Sequence, residues 1–143
     1  MKRKVYAYIT HQGRLLVFRH TKFPEAGIQV PGGTVEQNEP LEHAVLREAA
    51  EETGLQGLRV ITYLGSQVIQ PDAIPTKRHF FHLGLDGEAP EAWLSYELNP
   101  SDGSPAPIEF EFFWVKLEEV PELAGGQGAL LKALRIPEEH ISA

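Results

Sequence analysis

Residues 33–55 read GTVEQNEPLEHAVLREAAEETGL, and this stretch decides how the rest of the chain is interpreted. A helix is predicted to begin near Glu39–Pro40, because proline suits the first turn of a helix. Glu42 would lie in that turn, where a negative charge interacts favourably with the helix dipole. The helix is predicted to end at Gly54, because glycine readily adopts the left-handed conformation that follows many helices.

The charge distribution on this helix is unusual. At about 100° per residue, Glu48, Glu51 and Glu52 share one angular sector with the apolar residues. A charge run is usually a solvated face, but such a face would more naturally pair each glutamate with Lys or Arg four residues on. Only Arg47 is nearby, four residues before Glu51 and within its reach. The apolar residues of the shared sector are Leu41, Ala44 and Val45.

Three clustered carboxylates repel one another, and burial raises the cost unless a cation compensates. Mg²⁺ prefers oxygen ligands and is commonly held by carboxylates together with substrate phosphates. The i, i+3, i+4 spacing suits such a site, so the pattern favours a Mg²⁺-dependent enzyme acting on a phosphate compound. Pro31-Gly32-Gly33 adds little by itself. It is not a Walker A loop, because no Gly-Lys-Ser/Thr follows.

The rest of the chain predicts strands on both sides of this helix and a second helix at the end. An N-terminal hairpin and further strands are indicated by β-branched and aromatic runs separated by Gly and Pro. This order predicts one domain over residues 1–143, a mixed sheet with helices on both faces. The predicted strands are Lys4–Ile9, Arg14–Phe18, Ile28–Val30, Leu58–Val68, His79–Leu85, Ala92–Tyr96 and Ile108–Leu117, and the terminal helix is Ala129–Leu134.

Composition excludes several classes of protein. The net charge is −7, with 20 acidic and 13 basic residues, which disfavours general binding to nucleic acids or anionic membranes. The absence of cysteine excludes disulfides, thiolate zinc sites and cysteine nucleophiles. No apolar run is long enough for a membrane span and no signal peptide is evident, so a cytoplasmic location is expected.

Residues 33–55 resemble the Nudix box, G-x5-E-x7-R-E-U-x-E-E-x-G-U, where U is aliphatic. Ala49 is smaller than the aliphatic residue usual at its position. The resemblance implies an α+β fold, the Nudix-type α/β/α sandwich with a central mixed β-sheet. The matching residues are Gly33, Glu39, Arg47, Glu48, Glu51, Glu52, Gly54 and Leu55.

The resemblance also implies the chemistry, which is hydrolysis of a nucleoside diphosphate linked to another moiety, with Mg²⁺ or alternatively Mn²⁺. Glu48, Glu51 and Glu52 would be catalytic metal ligands, together with the Gly32 carbonyl. Arg47 would hold the glutamates by ion pairing. The structural residues would be Glu39, supporting the junction of loop and helix, and Gly54. Gly33 would lie beside the substrate.

Outside the box the roles are less determined. The general base is either a box glutamate or a later one, and Glu109 is preferred over Glu111. Arg19 and Arg78 are candidate phosphate contacts, weighed against plain surface positions. His79 and His82 should point to opposite faces of a strand, which disfavours a shared metal. Most aromatic residues on strands belong to the core, so at most one or two are expected to contact a ligand, the candidates being Phe80, Phe81, Trp93 and Trp114.

The leading hypothesis is therefore a pyrophosphohydrolase with a nucleotide-derived small-molecule substrate. Pro71, beyond the box, weakly favours ADP-ribose or a nucleotide sugar over a nucleoside triphosphate. The alternative is a non-catalytic nucleotide sensor on the same fold, which the intact box disfavours. Isomerisation of isoprenoid diphosphates is disfavoured because the chain has no cysteine. The sequence leaves both monomer and homodimer open.

Overall fold

The computed structural model describes residues 1–98, 103 and 105–134, which form one mixed sheet with an α-helix against it. The helix, α1, spans Leu41–Thr53. The strands are β1 (Lys2–His11), β2 (Arg14–His20), β3 (Gly32–Thr34), β4 (Leu58–Ile69), β5 (Thr76–Leu85), β6 (Ala92–Glu97) and β7 (Ile108–Lys116). Short 3₁₀ turns lie at Pro24–Ala26, Leu117–Glu119, Ala124–Gly126 and Leu131–Ala133.

The sheet order is β4-β5-β1-β2-β7-β6, with β3 also paired to β1. The β1–β5 pair is parallel, and the other pairs are antiparallel. β1 and β2 pair only next to their turn, at Thr10↔Leu15 and His11↔Arg14. Nearer its N-terminal end, β1 pairs with β3 instead, from Lys4↔Thr34 to Tyr6↔Gly32. The separation of β1 from β2 leaves the cleft described below.

Two hydrophobic clusters lie on opposite faces of the sheet. One is covered by α1, whose Ala44, Val45 and Ala49 are almost fully buried against strand residues. The small side chain of Ala49 therefore belongs to this core. The other cluster lies beneath the C-terminal turns, where Leu123 packs near Tyr8. The hydroxyl of Tyr8 donates to the carbonyl of Gln127 at 2.6 Å and anchors these turns to the sheet.

The mixed sheet and the central helix were predicted correctly, and Gly54 ends α1 with a φ of 76°. The terminal helix predicted over Ala129–Leu134 was wrong. This segment follows the glycine-rich turns at Gly125 and Gly126, and its backbone–backbone hydrogen bonds are of the i→i+3 type. In the described residues α1 is thus the one α-helix, and 3₁₀ turns cover the second face.

The strand predicted at Ile28–Val30 was also wrong. Only an isolated bridge joins Gln29 to Phe18, and the strand lies at Gly32–Thr34. Gly32 and Gly33 thus belong to a strand and do not form the turn expected from glycine. No helix in the described part of the chain is long and apolar enough to cross a membrane.

Candidate active site

A cleft of about 1070 Å³ opens where β1 and β2 separate. Glu48, Glu51 and Glu52 of α1 line it, opposite Gly32 and Gly33 of β3. The apolar residues of α1 turn towards the core, while the glutamates lie along the edge of that apolar stripe. The predicted overlap of charge and core is therefore real, and the carboxylates face a cavity and not the packed interior.

Arg47 connects the helix to the loop that precedes it. Its Nε and Nη2 donate to the two carboxylate oxygens of Glu39 at 2.7 and 2.9 Å. Its Nη1 donates to Glu48 at 2.9 Å and to Glu51 at 3.4 Å. Nη2 also donates to the Thr34 carbonyl at 3.2 Å. One guanidinium thus holds the β3 end, the loop and two of the three glutamates in a fixed relation.

Glu39 is nearly buried and acts as the acceptor at the centre of this junction. Besides Arg47, it accepts a hydrogen bond from the backbone N–H of Glu36 at 2.9 Å and contacts the His43 ring nitrogen at 2.6 Å. The hydrogen bonds from Arg47 and then from Glu36 hold the pKa of Glu39 well below its usual range. The ionised form of Glu39 is therefore the one that the fold stabilises.

Glu52 lies deepest of the three glutamates and is the least compensated. Burial raises its pKa to about 8, although the backbone N–H of Gly32 donates to it at 3.0 Å. In the described part of the chain its carboxylate forms no ion pair with Lys, Arg or His. Ionising Glu52 is costly without a nearby cation, because desolvation disfavours the charged form.

Gly33 provides the space for Glu48. A Cβ placed on Gly33 would overlap the carboxylate of Glu48, and one on Gly32 would meet the Val5 carbonyl at 2.6 Å. Neither glycine has a positive φ, so backbone conformation does not require them. Close approach to the Val5 backbone requires glycine at position 32, whereas at position 33 glycine lets the Glu48 side chain lie against the strand. This cradle brings the carboxylate of Glu48 against the backbone of β3.

These features fit a hard divalent cation. The donor set is entirely oxygen, with an under-compensated carboxylate at Glu52 and backbone at Gly32 and Gly33, as Mg²⁺ prefers. Within residues 1–98, 103 and 105–134, no three acidic or histidine side chains lie together as a group that could hold a metal ion without rearrangement. The side chain of Glu51 is 62% exposed and pairs with Arg47 at 3.4 Å.

Strand β6 holds the C-terminal end of α1. The hydroxyl of Ser95 donates to the backbone carbonyl of Glu52 at 2.7 Å, and the indole N–H of Trp93 donates to the carbonyl of Thr53 at 2.9 Å. The last carbonyls of a helix have no partners within it, so these bonds satisfy groups that would otherwise need water. They also fix the last turn, which carries Glu52, relative to the sheet.

Glu109 lies at the rim of the cleft, and both its carboxylate oxygens are engaged. The hydroxyls of Thr21 and Tyr96 donate to them at 2.6 and 2.8 Å. These bonds lower the pKa of Glu109, which makes it a weaker proton acceptor. The arrangement favours a role in ordering Thr21 and Tyr96 over the predicted role as general base.

The two arginines predicted to contact phosphate are bound by other groups of the protein. Arg19 is exposed, pairs with Glu111 at 2.8 Å through Nε and lies over the ring of Phe113. Arg78 is buried, and its two terminal nitrogens donate to the carbonyls of Gly125 and Gly126 at 2.7 Å. Both placements favour structural roles.

The aromatic residues and histidines considered as ligand contacts also have other partners in the structure. Phe80 and Phe81 are core residues, Trp93 stacks on Phe112, and the Trp114 indole donates to the Pro90 carbonyl. The ring of His79 contacts the Tyr63 hydroxyl, and the ring of His82 contacts the Thr10 hydroxyl.

Several lining residues were missed by the sequence analysis. Lys4 and Glu97 act electrostatically on Glu52, and Lys22 acts on Glu109. Aromatic and amide groups complete the cleft. The sequence contained a pattern that indicates the position of Glu97, because Glu97 follows Trp93 and Ser95 at alternate positions of one strand and so shares their face. The others lie on strand ends and loops without a motif. The missed residues are Lys4, Phe18, His20, Lys22, Phe23, Gln29, Glu97, Phe110 and Gln127.

A family model described as the NUDIX domain matches residues 2–134. The chain belongs to the NUDIX family. This membership confirms the interpretation of residues 33–55 as the motif of that family. It also agrees with the mixed sheet and single α-helix of the described residues.

Three individual proteins are similar to this chain at low sequence identity. An RNA pyrophosphohydrolase of Caulobacter vibrioides is 29% identical over 114 residues, which are 73% of this chain and 64% of that protein, less than two thirds of its length. The ORF135 protein of E. coli has a TM-score of 0.62 at 25% identity, covering 93% of this chain and 87% of that one. A MutT NUDIX hydrolase from Burkholderia pseudomallei has a TM-score of 0.63 at 24% identity, covering 94% and 98%.

Proposed function

We propose that this NUDIX protein is a Mg²⁺-dependent pyrophosphohydrolase that cleaves the diphosphate bridge of a nucleoside diphosphate linked to another moiety. The observation that carries the proposal is the placement of Glu48, Glu51 and Glu52 along one wall of a cleft, facing the backbone of Gly32 and Gly33. A purely structural helix would have no reason to expose three carboxylates to a cavity of this size.

The chain's own residues divide the work. Glu48, Glu51 and Glu52, with the Gly32 carbonyl, would hold the cation, and Arg47 keeps Glu48 and Glu51 oriented towards it. When bound, Mg²⁺ would offset phosphate charge and lower the pKa of a coordinated water. Mn²⁺, which also accepts oxygen ligands, is expected to substitute.

Water attacks one phosphorus of the bridge, and the bond from that phosphorus to the bridging oxygen breaks. The departing phosphate keeps the bridging oxygen and its electron pair, and the proton lost by the attacking water passes to a carboxylate of the cleft and from there to solvent. Lys4 and Lys22 line the cleft and supply positive charge for the phosphate oxygens. Their contribution matters because the lining is otherwise acidic, and a polyanionic substrate needs cations to bind.

The substrate is proposed to carry an aromatic base. Phe18, Phe23 and Phe110 line the cleft, and Phe23 is 55% exposed, so its ring is available for stacking. The volume of about 1070 Å³ exceeds what a diphosphate needs and leaves space for a second moiety. We therefore keep the preference for ADP-ribose or a nucleotide sugar, acted on in the cytoplasm, over a nucleoside triphosphate.

A panel assay tests the proposal. ADP-ribose, nucleotide sugars, nucleoside triphosphates and dinucleoside polyphosphates would be incubated with the protein and Mg²⁺, and the released phosphate or nucleoside monophosphate measured. A short RNA with a 5′-terminal polyphosphate belongs in the panel because of the Caulobacter relative. Turnover that disappears with EDTA is expected for one class. Ligand binding without turnover on any substrate would contradict the proposal and favour the sensor.

A further inference from the structure

Residues 22–26 form an exposed loop at the edge of the cleft. From this loop, Lys22, Phe23 and Ala26 line the cleft. Lys22 and Phe23 are the cation and the aromatic ring assigned above to the substrate. A segment with few buried contacts opens easily, because little free energy is lost when it moves. The placement of Lys22 and Phe23 therefore depends on how the two ends of the 22–26 loop are held.

The C-terminal end of the 22–26 loop is held by the main chain. The backbone N–H of Ala124 donates to the Ile28 carbonyl at 2.8 Å. Gln29 and Phe18 exchange two backbone hydrogen bonds, each of 2.9 Å. These bonds fix the chain directly after the loop to the C-terminal turns and to β2.

The N-terminal end of the 22–26 loop is held by the side chain of Glu109. β7 lies between β2 and β6, and Glu109 pairs with Tyr96 of β6. On the other side His20 pairs with Phe110, so Thr21 lies opposite Glu109. The hydroxyls of Thr21 and Tyr96 donate to the two carboxylate oxygens, and the backbone N–H of Thr21 donates to the Glu109 carbonyl at 3.1 Å. Glu109 thus holds the residue from which the loop starts.

An ionised carboxylate suits this position because both its oxygens are acceptors and can bind one hydroxyl each. The hydrogen bonds from Thr21 and then from Tyr96 lower the pKa of Glu109, and the positive charge of Lys22 lowers it further. Hydrogen bonds to a charged acceptor are stronger than those between neutral groups. A glutamine would keep one acceptor oxygen only, because its side-chain nitrogen is a donor.

We propose that Glu109 is a positioning residue that acts on the substrate through Thr21 and the 22–26 loop. It holds the loop where Lys22 meets the phosphates and Phe23 meets the aromatic base. The inference rests on the proposed function, because the substrate contacts of Lys22 and Phe23 belong to it. The role involves no proton transfer, which agrees with the lowered pKa of the Glu109 carboxyl.

Steady-state kinetics on the substrate that the panel assay identifies separate positioning from catalysis. Glu109→Gln and Thr21→Val should each raise KM, by at most the roughly 10-fold expected for loss of the Phe23 ring, with kcat nearly unchanged. Thr21→Val retains every charge, so a shared effect excludes a direct effect of the Glu109 charge. Glu118→Gln, an equal charge change at an exposed turn, should behave like the wild type.

A double variant tests whether Glu109 acts through Phe23. In the Phe23→Ala background, adding Glu109→Gln should raise KM by a smaller factor than it does in the wild type. Two substitutions that remove the same contact are not additive, whereas independent ones are. Equal factors in the two backgrounds would contradict the link to Phe23.

Trypsin cleavage after Lys22 reports on the loop without any substrate. Its rate depends on how often the chain around this bond opens locally. Glu109→Gln and Thr21→Val should be cleaved there about 10-fold faster than the wild type, the effect of losing one hydrogen bond to a charged group. Cleavage after Lys132, in a C-terminal turn, should be unchanged when mass spectrometry follows both sites in the same samples.

The same measurements define what would overturn the assignment of Glu109. Unchanged cleavage after Lys22 in both variants would contradict it whether or not the protein is an enzyme, and faster cleavage with an unchanged KM would make the role purely structural. A lower kcat in Glu109→Gln, with the acidic limb of the pH profile lost and Thr21→Val normal, would make Glu109 a general base. If the wild type hydrolyses no compound of the panel, the proposed function fails and the substrate role with it, while trypsin still decides whether Glu109 holds the loop.

Discussion

The guanidinium of Arg47 donates to both carboxylate oxygens of Glu39, at 2.7 and 2.9 Å, and its remaining amino group reaches Glu48. The loop before α1 and the acidic side of α1 are thus joined through one side chain. A planar, forked donor is required for this, because a lysine ammonium cannot reproduce the bidentate geometry.

Arg47→Lys tests this requirement. The variant is expected to lose about 2 kcal/mol of unfolding free energy, because hydrogen bonds between charged groups at a largely buried junction are lost. Urea denaturation would measure the loss. Arg59→Lys is the control, since Arg59 and Asp86 form an exposed pair that should contribute less than about 1 kcal/mol. Equal effects in the two variants would contradict the role of Arg47.

The depressed pKa of Glu39 predicts how stability depends on pH. Because the folded-state pKa lies below the unfolded value near 4.5, ionised Glu39 contributes its stability above pH 4.5. This contribution should decline as the pH falls below that value towards the folded-state pKa. Arg47 and His43 are the cationic or titratable groups that contact its carboxylate.

Glu39→Gln would isolate the effect. Urea denaturation would measure the difference in unfolding free energy between the wild type and the variant. This difference should be largest and constant between pH 5.5 and 7. It should be smaller at pH 3.5, by the amount expected from the protonation of one carboxyl group. A difference that widened on acidification would show that the depressed pKa of Glu39 does not stabilise the fold.

Glu52→Gln is expected to reduce kcat by about 100-fold or more, since loss of outer-shell partners alone costs up to that factor. The fold should survive, because the amide oxygen can still accept the hydrogen bond from Gly32. Turnover in the panel assay and circular dichroism would be measured together. Glu122→Gln, at an exposed position, is the matched control. Near-normal turnover in Glu52→Gln would contradict the assignment of Glu52 as a metal ligand.

Phe23→Ala tests the aromatic part of the cleft. If the base stacks on this ring, KM should rise about 10-fold with kcat nearly unchanged, since stacking of one base contributes about 1–3 kcal/mol. Stability should change little, because Phe23 is exposed. Ile74→Ala, also an exposed apolar residue, should leave KM unchanged. An unaltered KM in Phe23→Ala would place the base elsewhere.

The sequence was sufficient where local chemistry decides the structure. Gly54 ended the helix as predicted, and the spacing of Glu48, Glu51 and Glu52 placed them on one side of the cleft. These features depend on helical periodicity and on the left-handed conformation of one glycine. Neither requires knowledge of distant parts of the chain.

Long-range contacts decided what the sequence could not. Arg78 looked like a surface cation within a basic run, but its guanidinium lies between the rings of the β1–β5 core and the Gly125 and Gly126 carbonyls. Glu109 looked free to accept a proton, but hydroxyls from two other strands or loops bind it. The groups that bind Arg78 and those that bind Glu109 are remote from them in sequence, so no local sequence pattern reveals these contacts.

The contact between Gly33 and Glu48 limits the paths along which this chain can diversify. A methyl group at position 33 would occupy the volume of the Glu48 carboxylate, while the strand ladder holds the backbone of position 33 in place. Because the contact is with the end of a flexible side chain, a larger residue at position 33 would displace the carboxylate and leave the strand where it is. Position 33 in a strand thus controls where the acid of position 48 in the helix can lie, and a library that varies position 33 would vary the placement of that acid without changing it.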